Sequence, residues 1–285
     1  MKAILTFFLC MAITVFCSAQ LQPSKTGYAP VNGLKLYYEI YGSGQPLVLI
    51  HGGLGLASMF GPILPELAAK RQVIAVELQA HGHTADIDRP LSLEMMADDI
   101  AALLKFLGIP KADIMGYSLG GGTALLTGIR HPELVRKLVI VSFPYKHSGW
   151  YKETMDQAGN MGPASAEMMK KTPLYQNYIS VAPKPDDWVK LHTKLGELLR
   201  KDYDYSAEIQ KIKIPTLLVI GDADAIHPGS EVEFFALLGG GLKDGGWDGS
   251  GVSNSQLSIL PGETHYHIFV SLALAQAVIP FLDKP

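Results

Sequence analysis

The chain has 285 residues, 48% of them apolar and 18% charged, with a mean hydropathy of +0.17. Such a chain buries a sizeable core, which excludes an intrinsically disordered protein, a coiled coil and a disulfide-stapled miniprotein. A formal charge of −3, from 24 basic and 27 acidic residues, leaves no basic footprint for nucleic acid and no charged interaction tail.

The first segment reads as a leader. Lys2 precedes an uncharged run, Ile4 to Phe16, whose 13 residues fall short of the roughly 20 that a membrane-spanning helix needs. Small residues follow at Ser18 and Ala19, the pattern of a secretory signal peptide cut after Ala19. Bulky Phe16 before Cys17 disfavours lipid attachment there, and an uncleaved anchor is the alternative. This predicts residues 1–19 as signal peptide and 20–285 as one exported domain, periplasmic or secreted, with no stable membrane anchor after the cut. Cys10 and Cys17 both leave with the leader, so the exported chain has no disulfide, thiolate nucleophile or cysteine metal site.

Residues 26–31 and 34–41 are β-rich runs joined at Asn32-Gly33, a pair that favours a two-residue hairpin turn. A short, wholly apolar strand follows at Leu47–Ile50, as expected of a parallel strand buried on both faces, and the same kind of strand recurs, mostly apolar, at Val73–Val76, Ala112–Met115, Leu138–Val141, Thr216–Ile220 and Leu257–Leu260. Helical patterns lie at Leu93–Leu107, stopped by Gly108, at Leu119–Arg130 and at Ser271–Leu282. This alternation predicts an α/β fold with one doubly wound, mostly parallel sheet. Residues 143–211 separate two core strands and are too long for a structureless loop, so they read as an inserted helical cap. Gly239–Gly251, with seven glycines around Trp247, reads as a long surface turn.

Gly116-Tyr117-Ser118-Leu119-Gly120 matches the nucleophile-elbow pattern G-x-S-x-G and sits between a predicted strand and a predicted helix, the setting that pattern requires. Glycines on both sides relieve crowding, and the following helix aims N–H groups at developing negative charge. With this elbow the chain resembles the α/β-hydrolase superfamily, in its capped serine esterase, enol-lactonase and cofactor-free haloperoxidase-like branch. The resemblance spans residues 26–283 and rests on His51-Gly52-Gly53-Leu54-Gly55, the Ser118 elbow, Gly221-Asp222-Ala223-Asp224 and Gly262-Glu263-Thr264-His265, in the family's order.

The resemblance implies a Ser-His-Asp triad. Ser118 would be the nucleophile, and His265 rather than His267 the base, since the family places it directly after the last strand. Asp224 rather than Asp222 would orient the imidazole, leaving Asp222 to bond the backbone of its own turn. The oxyanion donors would be the N–H of Leu119 and, on the family's pattern, that of Gly53, with His51 structural. A serine at the elbow disfavours the superfamily's dehalogenases and epoxide hydrolases, which use aspartate there. The expected activity is hydrolysis of an ester-like small molecule, a carboxylic ester or lactone, with no cofactor and no metal. Two rivals stand beside it: a non-catalytic binding module on the same fold, and a metallohydrolase using His81 and His83 with Asp86 and Asp88. That histidine cluster lies where the family carries a D-x-x-G-x-G-x-S turn, and Glu77 to Thr84 depart from it at several positions. The aromatic and methionine side chains of the cap, among them Trp150, Met155, Met161, Tyr178 and Trp188, would line an apolar pocket or fill the cap's own core. Oligomeric state has no signature in the sequence.

Overall fold

A computed structural model describes residues 21–284. The expected leader, residues 1–19, and its cut before Gln20 therefore lie outside the described residues. Eight strands form one sheet: β1 (Lys25–Val31), β2 (Leu34–Tyr41), β3 (Gln45–Ile50), β4 (Arg71–Glu77), β5 (Ala112–Tyr117), β6 (Val135–Val141), β7 (Thr216–Ala223) and β8 (Gln256–Thr264). Their order is β1-β2-β4-β3-β5-β6-β7-β8, in which β2 runs antiparallel to both of its neighbours, β1 and β4, and all other pairs are parallel. The β1–β2 turn places Asn32 at φ +46° and Gly33 at +84°, the left-handed pair that a tight hairpin needs.

Alternate residues of the central strands feed two cores. Val48 and Ile50 face the layer that holds α2 (Leu93–Phe106) and α3 (Leu119–Arg130), while Leu47 and Leu49 face the layer closed by α1 (Leu64–Ala68) and α10 (Leu272–Asp283). Burial on both sides is why these strands are continuous apolar runs instead of alternating ones. Ser92 caps α2 by accepting from the Met95 N–H, and Gly108, at φ +69°, ends it.

Between β6 and β7 the chain builds α4 (Lys152–Gly159), α5 (Pro163–Met169), α6 (Pro173–Val181), α7 (Trp188–Leu199) and α8 (Ser206–Ile209). Trp188 is the centre of this insertion: it is buried against Tyr175, Tyr178 and His192, and its indole N–H donates to the Ala166 carbonyl at 3.0 Å. Polar ties seat the insertion on the sheet. Lys190 and Lys194 of α7 both pair with Asp86 at 2.8 Å on the loop after β4, and Lys194 also donates to the Ile87 and Arg89 carbonyls. α9 (Pro228–Leu237) follows β7, and residues 239–255 then form a long, largely exposed loop on which Trp247 is fully exposed. Among the described residues no helix is long and apolar enough to cross a membrane.

Candidate active site

The parallel strands end on one edge of the sheet, and three of those ends carry the polar side chains that meet there. The first is Ser118, which sits between β5 and α3 at φ +53°, ψ −117°, a left-handed conformation rare for a non-glycine residue. Its glycine neighbours make this turn sterically possible. A Cβ on Gly116 would lie 1.9 Å from the Gly120 carbonyl oxygen, and one on Gly120 would lie 2.3 Å from that of Ile50. The strand, the turn and the first turn of α3 therefore touch backbone to backbone, and Ser118 is lifted above the sheet edge.

The second is Asp224, directly after β7, and the third is His265, directly after β8. His265 Nε2 lies 3.1 Å from Ser118 Oγ and its Nδ1 lies 2.9 Å from Asp224 Oδ1. The carboxylate can only accept, so Nδ1 carries the proton and Nε2 is left free to accept from the serine hydroxyl. Asp224 is buried, which opposes its charge. The hydrogen bond and charge of His265, the Ser142 hydroxyl donating at 2.5 Å and the Gly221 N–H outweigh that penalty and hold its carboxyl below the usual range.

Further residues fix the imidazole. The Tyr117 hydroxyl donates to the His265 carbonyl at 2.6 Å, and Trp150 presents an edge to the imidazole ring at 5.5 Å between centroids. The Trp150 indole N–H is itself held by the Tyr203 hydroxyl at 2.8 Å. Tyr117 stands inside the elbow motif, whereas Ser142, Trp150 and Tyr203 carry no local signal in the sequence; only the fold brings them here.

The loop after β3 approaches Ser118 from the other side. A Cβ on Gly52 would meet the Tyr117 ring at 2.7 Å and the Ser118 Cβ at 3.3 Å. Gly53 and Leu119 both line the cavity above Ser118. Leu119 is the first residue of α3, so its N–H has no intrahelical acceptor. His51 is fully buried and takes a structural position: its Nε2 accepts from the Leu78 N–H at 3.1 Å and its Nδ1 donates to the Gly52 carbonyl at 2.7 Å. Burial and the neighbouring His81 drive its pKa down to about 3, so the ring is a neutral bracket for the Gly52-Gly53 turn.

The other sequence candidates are dispersed. His81 is buried against His51, its Nδ1 donating to the Gln79 carbonyl, while His83 turns to Glu77 at 2.9 Å and stacks on Tyr37. Asp86 is taken by Lys190, Lys194 and Gln79, and Asp88 is exposed. Among the described residues no group of three or more histidine, cysteine or acidic side chains is arranged to hold a metal ion. Glu77 explains the altered turn: it also accepts from the Ala57 and His83 N–H groups, so it ties the end of β4 to the loop after β3. Asp222 is exposed and accepts from the Gly262 N–H at 2.7 Å, so it braces the neighbouring β8 turn and not its own. His267 is exposed at the start of a single 3₁₀ turn, ahead of α10 rather than on it.

A cavity of about 980 Å³ opens over Ser118, between the strand ends and the helical insertion. Met155, Met161, Met168, Met169 and Trp150 line it, whereas Tyr178 and Trp188 pack inside the insertion. The aromatic and methionine side chains of residues 143–211 thus divide between pocket wall and local core.

Residues 45–187 match the family model described as the alpha/beta hydrolase fold. The chain belongs to this family. Among curated proteins it is 35% identical over 147 residues to a 2-hydroxymuconate semialdehyde hydrolase of Pseudomonas sp. strain CF600, a match covering 48% of this chain and only half of that relative's length. It is 30% identical over 208 residues to a pimeloyl-acyl-carrier-protein methyl ester esterase of Neisseria meningitidis, covering 65% of this chain and 76% of the relative. Among solved structures, the enol-lactonase from Burkholderia xenovorans LB400 superposes with a TM-score of 0.68 at 22% identity, covering 90% of this chain and all of that one. These three relatives are hydrolases.

Proposed function

We propose that the protein is a serine hydrolase that cleaves a carboxylic ester or lactone through an acyl-enzyme. The observation that carries this reading is the unbroken relay from Ser118 Oγ to His265 Nε2, at 3.1 Å, and from His265 Nδ1 to Asp224, at 2.9 Å, at the mouth of the cavity. In the proposed reaction Ser118 Oγ attacks the acyl carbon while its proton passes to His265 Nε2, and Asp224 stabilises the imidazolium. The carbonyl oxygen becomes an oxyanion held by the N–H groups of Leu119 and Gly53. Collapse breaks the acyl–oxygen bond, and His265 returns the proton to the departing alcohol. Water, deprotonated by His265, then releases the acid and restores the serine. The helical insertion would act as the cap over this site, and the N-terminal segment as an export signal cut after Ala19, which intact-mass measurement of the exported protein tests.

A non-catalytic reading gives no reason for the relay, and the metal reading would need His81, His83 and Asp86 to leave their present partners. A fluorophosphonate probe should add one equivalent to the folded protein, mapped to Ser118, and Ser118→Ala should abolish both labelling and hydrolysis. His265→Ala should lower kcat by about 10⁴ to 10⁶, and His267→Ala by less than about threefold. Labelling at another residue, or hydrolysis that survives Ser118→Ala and is lost on chelation, would refute the proposal.

A further inference from the structure

We infer that the preferred substrates are electrically neutral esters with a long apolar acyl chain, and that esters whose acyl group ends in a carboxylate are rejected. The inference rests on the acyl-enzyme reading above and deepens it. In that mechanism the acyl group stays bonded to Ser118 after the alcohol has left, so its tail must be stored in the space directly over the serine. That space is about 980 Å³, at the upper end of what small-molecule pockets offer, and far exceeds the needs of an acetyl group. Its wall from the insertion is built on Met155, Met161, Met168 and Met169, with Leu195 and Leu198 of α7. Methionine is unbranched and flexible, so these side chains repack around chains of differing length instead of selecting one shape.

The charges on the wall point the same way. Three acids, Glu94, Asp202 and Asp204, line it beside a single lysine, Lys201, and Lys201, Asp202 and Asp204 are exposed at the rim. His147 lies 3.9 Å from Asp202, and no arginine lines the cavity among the described residues. A terminal carboxylate carried past the rim, among the partly buried Met155, Met161 and Met169, would lose hydration without gaining a partner, which is unfavourable. Beyond the reaction centre, the methionine-lined part of the site offers mainly apolar contact, and its lysine stands out at the exposed rim.

The test uses the purified full chain with p-nitrophenyl esters that share one leaving group and differ only in the acyl chain. From butyrate to octanoate kcat/KM should rise about fourfold per methylene, roughly 250-fold in all, before levelling off. The p-nitrophenyl hemiester of octanedioic acid should be poorer than the octanoate by about 10² or more. Met168→Arg places a cation at an exposed wall position, so the chain should still fold, and it should narrow that gap at least about tenfold. If Ser118 is labelled and butyrate is hydrolysed, but rates fall with chain length or the hemiester matches the octanoate, the substrate inference is overturned and the acyl-enzyme reading stands. If there is neither labelling nor hydrolysis of any ester, both fall together.

Discussion

Replacing Asp224 by Asn tests the proposed relay at its least exposed member. The carboxylate accepts four hydrogen bonds: from His265 Nδ1 at 2.9 Å and the Ala225 N–H at 2.7 Å on Oδ1, and from the Ser142 hydroxyl at 2.5 Å and the Gly221 N–H at 3.3 Å on Oδ2. An amide has one accepting oxygen and one donating nitrogen. Placing the oxygen toward His265 and Ala225 satisfies both, and the Ser142 hydroxyl can rotate to accept, but the Gly221 N–H then faces a donor. That conflict costs about 1–3 kcal/mol of stability, a fall in Tm of several degrees for a chain of this size. The catalytic loss is larger. At charge centres about 4 Å apart and an effective dielectric near 20, the carboxylate stabilises the imidazolium by about 4 kcal/mol, or about 10³ in rate, and any flip of the amide also strands the proton on the wrong imidazole nitrogen. Asp224→Asn should therefore lower kcat for a p-nitrophenyl ester by about 10³ to 10⁴ with little change in KM, in protein that melts cooperatively. If the variant kept more than a tenth of the wild-type kcat while Asp222→Asn was crippled, the assignment of the acid would be wrong.

Gly116→Ala should destabilise by about 3 kcal/mol, the upper end for overpacking, because the new methyl would meet the Gly120 carbonyl oxygen at 1.9 Å; an unchanged Tm and rate would contradict the elbow geometry. Buried His51 and His81, held at about 3 and about 4 by loss of solvation, stay neutral in the folded chain after the unfolded chain has taken up protons below pH 6.5. Stability should fall as pH drops from 6.5 to 5, by about 2 kcal/mol per histidine; urea melts showing no loss over that interval would refute it. Glu231 is the opposite case, a buried acid whose pKa is raised well above 4.5 by desolvation and then by Asp224, with Oε1 lacking a partner. Above pH 4.5 the unfolded chain releases this proton while the folded one keeps it, so stability drains away with rising pH. Glu231→Gln should match the wild type in Tm near pH 4 and exceed it at pH 8, and a deficit at pH 8 would sink the argument.

What the sequence determined by itself follows from signals that lie within a few residues of one another. The central strands were legible because burial on both faces makes them largely apolar, whereas β8 is mostly half-buried or exposed, and the Asn32-Gly33 hairpin was legible because a left-handed pair suits that turn. The elbow was legible because its two glycines are demanded by close backbone contacts, Gly116 with Gly120 inside the motif and Gly120 with Ile50 at the end of β3. Five-residue α1 carries too little periodicity to be read, and α9 starts on Pro228 with its apolar residues spread around the axis, so neither was anticipated. Tertiary structure alone brought the side chains into contact, where the sequence offered only neighbours of the same chemistry. His265 and His267 are two residues apart and chemically identical, yet one is buried between Asp224 and Ser118 and the other is exposed. The same holds for Asp224 against Asp222, and for His81 and Asp86, which pair with His51 and with α7 instead of with each other. Tyr117 to His265 spans 148 positions and Ser142 to Asp224 spans 82, and contacts that join such distant residues are set by which strands neighbour which in the sheet, an order that no local run of amino acids encodes.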